Sequence, residues 1–173
     1  YLVSKTYDAG SPANFMHALD LLTGAERTGF PVKITGAAQN SPTVNFDSFR
    51  QMNRPGLLLM DGVVYAAFGS HCDFGTYQGW LVGVNTSGAI TTRWTTRAAT
   101  SQAGAAIWHS GGGPVSDGSG RIFFTTGNGG AQTTATPGTS PPANCGECVE
   151  RVDVQANGSL LAKDFFSPLN ANQ

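Results

Sequence analysis

Charge is scarce in this sequence. Asp, Glu, Lys and Arg make up 12% of 173 residues, against about 25% in ordinary soluble domains. The 10 basic and 11 acidic side chains leave a net charge of −1, and no basic cluster breaks that balance. The electrostatic footprint of a nucleic-acid-binding protein is therefore missing. Long apolar runs are missing too: the stretch around "GLLLM" (56–60) is far short of the roughly 20 residues that cross a bilayer as a helix. No segment shows helical periodicity, and 23 glycines and 9 prolines punctuate the chain too often for long helices. Cysteines number three, so at least one has no partner within the chain. Two of them form "CGEC" (145–148), but no second CxxC completes a four-cysteine zinc site. No βαβ pattern surrounds the motif as in a thioredoxin-like centre.

What is present reads as a β-protein. Hydrophobic residues reach 40%, enough for a real core in one domain. Abundant Ser, Thr, Gly and Asn with little charge fits a secreted or periplasmic chain. In that setting Cys145 and Cys148 are expected to bond to each other and close a surface loop. Redox or metal roles remain alternatives, and Cys72 is expected to stay a thiol. Sequons at Asn85 ("NTS") and Asn157 ("NGS") suit exposed turns and matter only if a eukaryote secretes the chain. The first residues, "YLVSKTYD", already read as a strand, so the chain is expected to be a portion of something longer.

Three segments share one outline of strand, loop, strand and glycine turn. They are "YLVSKTYD" with "FMHALDLLTGAER", "DGVVYAAFGS" with "GWLVGVNTSGAIT", and "GRIFFTTGNG" with "VERVDVQANGSLL". Asp20, Asn85 and Asp153 stand at matching places ahead of Gly24, Gly88 and Gly158. Inserted loops at 39–53, 71–78 and 129–148 stretch each unit beyond a compact propeller blade. Period-two alternation puts Phe15, His17, Leu19 and Leu21 on one face and sets Val152 and Val154 against charges. "RIFFTT" is apolar on both faces and predicts a strand sandwiched inside a sheet stack. The expectation is an all-β fold of antiparallel four-stranded β-propeller blades, with units at approximately 1–53, 54–103 and 104–173. Propellers typically close with four to eight blades. About three would be a partial ring, with apolar outer faces that meet the rest of the propeller or neighbouring copies.

The run "HALDLLTGAE" resembles the repeat of quinoprotein propellers, the family that binds pyrroloquinoline quinone (PQQ). Ala18, Asp20, Thr23 and Gly24 match its Ala-x-Asp-x-x-Thr-Gly pattern, while Thr28 stands where the family has a docking Trp. The resemblance covers nearly the whole chain at the level of the repeat. A sharper likeness lies in "IWHSGGGPVSDGSGRIFFTTGNGG" (107–130), which is similar to the Trp, turn, strand and Gly-Asn-Gly of quinoprotein alcohol dehydrogenases. The resemblance implies that Trp108 stacks on the quinone and that Asn128 ligates a Ca²⁺ ion held by it. It also implies that Asp73, in "SHCDFGTYQGW", replaces the family's Glu ligand. Such a site is chemically coherent: an indole offers a flat platform, and carboxylate and amide oxygens suit Ca²⁺. The implied activity is oxidation of an alcohol or sugar with PQQ and calcium. The catalytic residue is not identified: the family's aspartate base would follow the last strand, near "DFFSPLNANQ", and its disulfide of adjacent cysteines has no counterpart. Read from the residues alone, Trp108 is more often a packing residue, Asn128 a left-handed turn residue and Asp73 a loop cap. The competing reading is a noncatalytic extracellular propeller acting as a binding or scaffold module.

Overall fold

A computed structural model describes residues 1–97, 103–129 and 144–170. Among these the chain is all-β, with no helix and several antiparallel sheets, none of them closed. The first sheet joins β1 (Leu2–Asp8), β2 (Ser11–His17) and β3 (Val32–Lys33). A small hairpin of β4 (Ala37–Ala38) and β5 (Ser41–Asn45) follows. The second sheet contains β6 (Gln51–Met52), β7 (Leu58–Met60), β8 (Val63–Ser70), β9 (Trp80–Asn85) and β10 (Ile90–Thr95). β6 and β7 share one edge of β8, pairing with its last and first residues, so this sheet is four strands wide. β6 thus joins the second sheet from just before the boundary expected at 53. The third sheet is β11 (Arg121–Thr125), β12 (Val149–Val154) and β13 (Leu160–Phe166). A bridge from Val115 to Phe123 widens it. Most of the expected insertion at 129–148 falls at 130–143, outside the described residues.

The sheets stack because β8 and β9 have no polar face. Val64, Ala66 and Phe68 of β8 join Trp80, Val82 and Val84 of β9 in a core against Met16 and Ile34 on the first-sheet side. Phe46 fills the gap edge-on, its ring 4.9 Å from Phe68 and 5.3 Å from Trp80, the geometry that aromatic quadrupoles favour. The alternate residues Tyr65, Ala67 and Leu81 face the other way and pack with Ile107, Ile122, Phe124 and Val152 of the third layer. Trp94 meets Phe124 across this second seam at 5.5 Å. The strands buried on both faces are therefore β8 and β9. "RIFFTT" instead forms β11, which turns Ile122 and Phe124 inward and leaves Phe123 half-buried on the outside.

The repeat is visible in the turns, with one shift of register. Asp20 N–H donates to Ala25 O and Gly24 N–H to Asp20 O. Asn85 N–H donates to Ala89 O and Gly88 N–H to Asn85 O. In the third unit the matching bonds are Gln155 N–H to Ser159 O and Gly158 N–H to Gln155 O. Gln155, not Asp153, is thus the structural equivalent, and Asp153 stays in β12 paired with Arg151. The first turn also corrects the alternation: β2 ends at His17, so Phe15 and His17 share a face. Asp20 Oδ1 accepts from Leu22 N–H and Thr23 N–H, and this knot projects Leu21 and Leu22 fully into solvent.

Both outer faces of the stack mix apolar and charged side chains. On the third sheet Val149, Leu161 and Phe166 are 42%, 45% and 55% exposed, and the register puts Arg151 and Asp153, paired at 3.1 Å, on the same face. On the first sheet Ser4, His17 and Glu26 are hydrogen-bonded in line, Lys33 bridges to Asp8 at 2.7 Å, and Leu2 and Phe15 lie among them.

Candidate functional site

Three loops meet at the end of the stack where β8 and β11 terminate. The first leaves β8 at Ser70. Its hydroxyl donates to Asp73 Oδ1 at 2.7 Å and accepts from Asp73 N–H at 2.9 Å, closing a tight turn. Cys72 and Asp73 both adopt positive φ, 57° and 49°, conformations uncommon for residues other than glycine. Arg50 holds the loop from below, its carbonyl accepting from His71 N–H at 2.6 Å. Asp73 thus lies on an exposed but well-tied loop in which Ser70, not Asp73, caps the main chain. Cys72 is a free, exposed thiol.

Trp108 follows Ile107, a fully buried residue of the seam between the second and third sheets. The indole itself is only half-buried, so it is not an inter-sheet core residue. A Cβ built on Gly69 would lie 2.6 Å from indole Cε3, and 2.9 and 3.0 Å from Cζ3 and Cδ2. Near-equal distances to a ring atom and both its neighbours mean that Gly69 approaches from above the ring. One indole face is therefore backed by the β8 main chain. A Cβ on Gly127 would meet Cδ1 and Nε1 at 2.9 and 3.0 Å, which fixes the pyrrole edge against the segment carrying Asn128. Glycine at both positions is what lets the ring sit so close to two backbones.

Asn128 is exposed and does not have positive φ. Left-handed turn geometry therefore does not explain why Asn stands there. Its carbonyl accepts from Ala105 N–H at 2.6 Å. Gly104 and Gly129 approach so closely that a Cβ on Gly104 would lie 2.5 Å from Gly129 Cα. The disulfide between Cys145 and Cys148 supports the same segment, since Glu147 N–H donates to Gly127 O at 2.8 Å. Thr126 Oγ1 donates to Cys145 O and accepts from Cys148 N–H. The bond forms between the expected cysteines, but both are buried at 1% and 3% exposure beside Phe165. It is an interior brace, not a surface staple.

Tyr77 joins these parts. The residue is 4% exposed, and its phenol lies near enough to the side chains of both Asp73 and Asn128 for each to act on its ionisation. Burial raises its pKa first of all. The Asp73 carboxylate adds to the rise, while the Asn128 side chain and the charge of Arg97 oppose it. Asp73 and Asn128 thus both stand beside Tyr77, with Trp108 anchored between Gly69 and Gly127, neighbours of their loops.

Sequence reasoning passed over Tyr77 and Arg97. Arg97 is 4% exposed at the end of β10, its guanidinium packed along Gly104 and Gly129. Burial works against its charge and the nearby Tyr77 supports it. Away from this site, Glu150 of β12 lies between Phe124 and Phe165 on neighbouring strands. It is 2% exposed, its Oε2 has no hydrogen-bond partner, and burial pushes its carboxyl up to about 8. Among the described residues no three His, Cys, Asp or Glu side chains converge as a metal site, and no helix is long and apolar enough to cross a membrane. No protein-family model, curated protein or solved structure matches the chain.

Proposed function

We propose that the chain is part of a quinoprotein-like propeller that oxidises an alcohol or sugar with PQQ and Ca²⁺. The observation that carries this reading is the nearness of both Asp73 and Asn128 to the Tyr77 phenol, beside an indole backed on one face by Gly69. The donors suit the group. A carboxylate and an amide oxygen are hard ligands for calcium; two protein ligands are few, and the quinone's own oxygens would complete the shell. When bound, the ion and quinone supply a Lewis acid and a hydride acceptor. The chain's own residues bind and orient. Trp108 offers a flat platform, Asp73 and Asn128 would supply the oxygen ligands from the loops beside it, and the buried Arg97 adds positive charge near Tyr77. The stacked four-strand sheet with its flanking layers supports blade architecture, and the exposed Val149, Leu161 and Phe166 on the third sheet suit contact with a further blade. The buried disulfide favours a secreted or periplasmic setting.

The test is calorimetry with PQQ, with and without Ca²⁺, on the protein carrying this chain. Binding is expected only with calcium, and Asn128→Ala should weaken it at least tenfold. Absence of Ca²⁺-dependent PQQ binding would leave the noncatalytic binding or scaffold module as the function.

A further inference from the structure

The outer face of the first sheet contains a second constellation, independent of the quinone reading. Ser4 on β1, His17 on β2 and Glu26 beyond it stand in one line across neighbouring strands. Ser4 Oγ lies 2.8 Å from His17 Nε2, and His17 Nδ1 is hydrogen-bonded to Glu26 Oε1. A carboxylate can only accept, so Nδ1 carries the imidazole proton in the neutral ring and Nε2 keeps its lone pair. Ser4 must then be the donor to Nε2. Nucleophile, base and orienting carboxylate are thereby assigned by valence, in the arrangement by which hydrolytic triads are recognised on unrelated folds.

We propose that Ser4 is an activated nucleophile and that this face carries out acyl transfer on carboxylic esters. The open sheet supplies the remaining parts. Phe15 stands directly opposite Ser4 in the ladder and Leu2 is its neighbour on the same face, 42% exposed; together they seat a small acyl group. β1 is the edge strand, so its N–H groups alternate between β2 and open space. The outward one of Ser4 and Lys5 lies next to the hydroxyl and can donate to an oxyanion. Ser4 Oγ attacks the ester carbonyl carbon as its proton passes to His17 Nε2, which returns it to the departing alcohol. Water, deprotonated by the same nitrogen, then releases the acid and restores Ser4. Glu26 acts through His17 as a positioning residue, and the Asp8–Lys33 pair keeps the face polar and wetted.

The probes are a fluorophosphonate, which loses fluoride when Ser4 Oγ attacks phosphorus, and p-nitrophenyl acetate. Mass spectrometry of the folded protein should place the phosphonyl adduct on Ser4. Ser4→Ala should abolish it, and His17→Ala should slow labelling and p-nitrophenol release by about 100-fold or more. Glu26→Gln should slow both while leaving thermal unfolding in place. If His17→Ala does not fold, His17→Gln serves as the replacement. No Ser4 adduct above that of the urea-unfolded chain, or labelling undiminished by the histidine variants, overturns the proposal.

Discussion

Replacing Glu150 by Gln should make the protein more stable, and increasingly so as pH rises. The carboxyl has a folded pKa of about 8 against an ordinary 4.5, because burial between Phe124 and Phe165 removes water from its charged form. Below pH 4.5 both states hold the proton, and the Glu150 contribution is at its most favourable. Between 4.5 and 8 the unfolded chain has lost the proton while the folded chain keeps it, so stability falls by about 1.4 kcal/mol per pH unit. Above 8 both states are ionised and the loss levels off. A shift from 4.5 to about 8 makes the full loss on the order of 5 kcal/mol. That figure is an upper value, since a strained interior relaxes and admits water. Glutamine has nearly the same shape and no charge, so the difference between the two proteins isolates this one group from every other titration. Urea unfolding of both at one-unit steps from pH 4 to 9 gives that difference directly. It should be within about 1 kcal/mol at pH 4, the scale of one neutral hydrogen bond, and should reach several kcal/mol in favour of the Glu150→Gln variant by pH 9. A flat difference curve, or a variant less stable than the parent at pH 9, would refute the reasoning about an unpartnered buried carboxyl.

Gly69→Ala should displace Trp108, because the new Cβ would sit 2.6 Å from the indole. The expected cost is about 1–3 kcal/mol, read by thermal unfolding, with a red-shifted tryptophan emission; an unchanged spectrum would contradict the stacking of Trp108 on that glycine. Cys145→Ala with Cys148→Ala opens a loop of only a few residues. It should cost about 2 kcal/mol by loop entropy, and calcium-dependent PQQ uptake should weaken because the brace under Gly127 loosens; calorimetry and denaturation check the pair.

The stacking order was only part legible: the apolar run "RIFFTT" pointed to the wrong strand as the sandwiched one. The truer signal lies in "VVYAAFG" and "WLVGV", which have no polar alternate, a pattern that only a layer covered on both sides tolerates. Asp73, Trp108 and Asn128 were singled out as a set only through family likeness, and their loops lie at one end of the stack. Tyr77 was not, because a lone Tyr between Thr76 and Gln78 has no spacing that distinguishes a bridge from a core ring. Glu150 was half legible. The alternation that turns Val152 inward turns Glu150 inward as well, but burial of an acid runs against its usual exposure. The shift from Asp153 to Gln155 shows why turns mislead: the shared feature is a backbone bond, which a Gln makes as well as an Asp.

Both outer faces of the stack carry charge among their apolar side chains, and this sets what can cover them. A neighbour laid on the third sheet must answer Arg151 and Asp153 as well as Val149, Leu161 and Phe166. One laid on the first sheet must answer Asp8, Lys33, His17 and Glu26. Covered by a plain hydrocarbon surface, these groups would lose solvation with nothing in return. Any partner sheet must therefore be matched in charge as well as in shape.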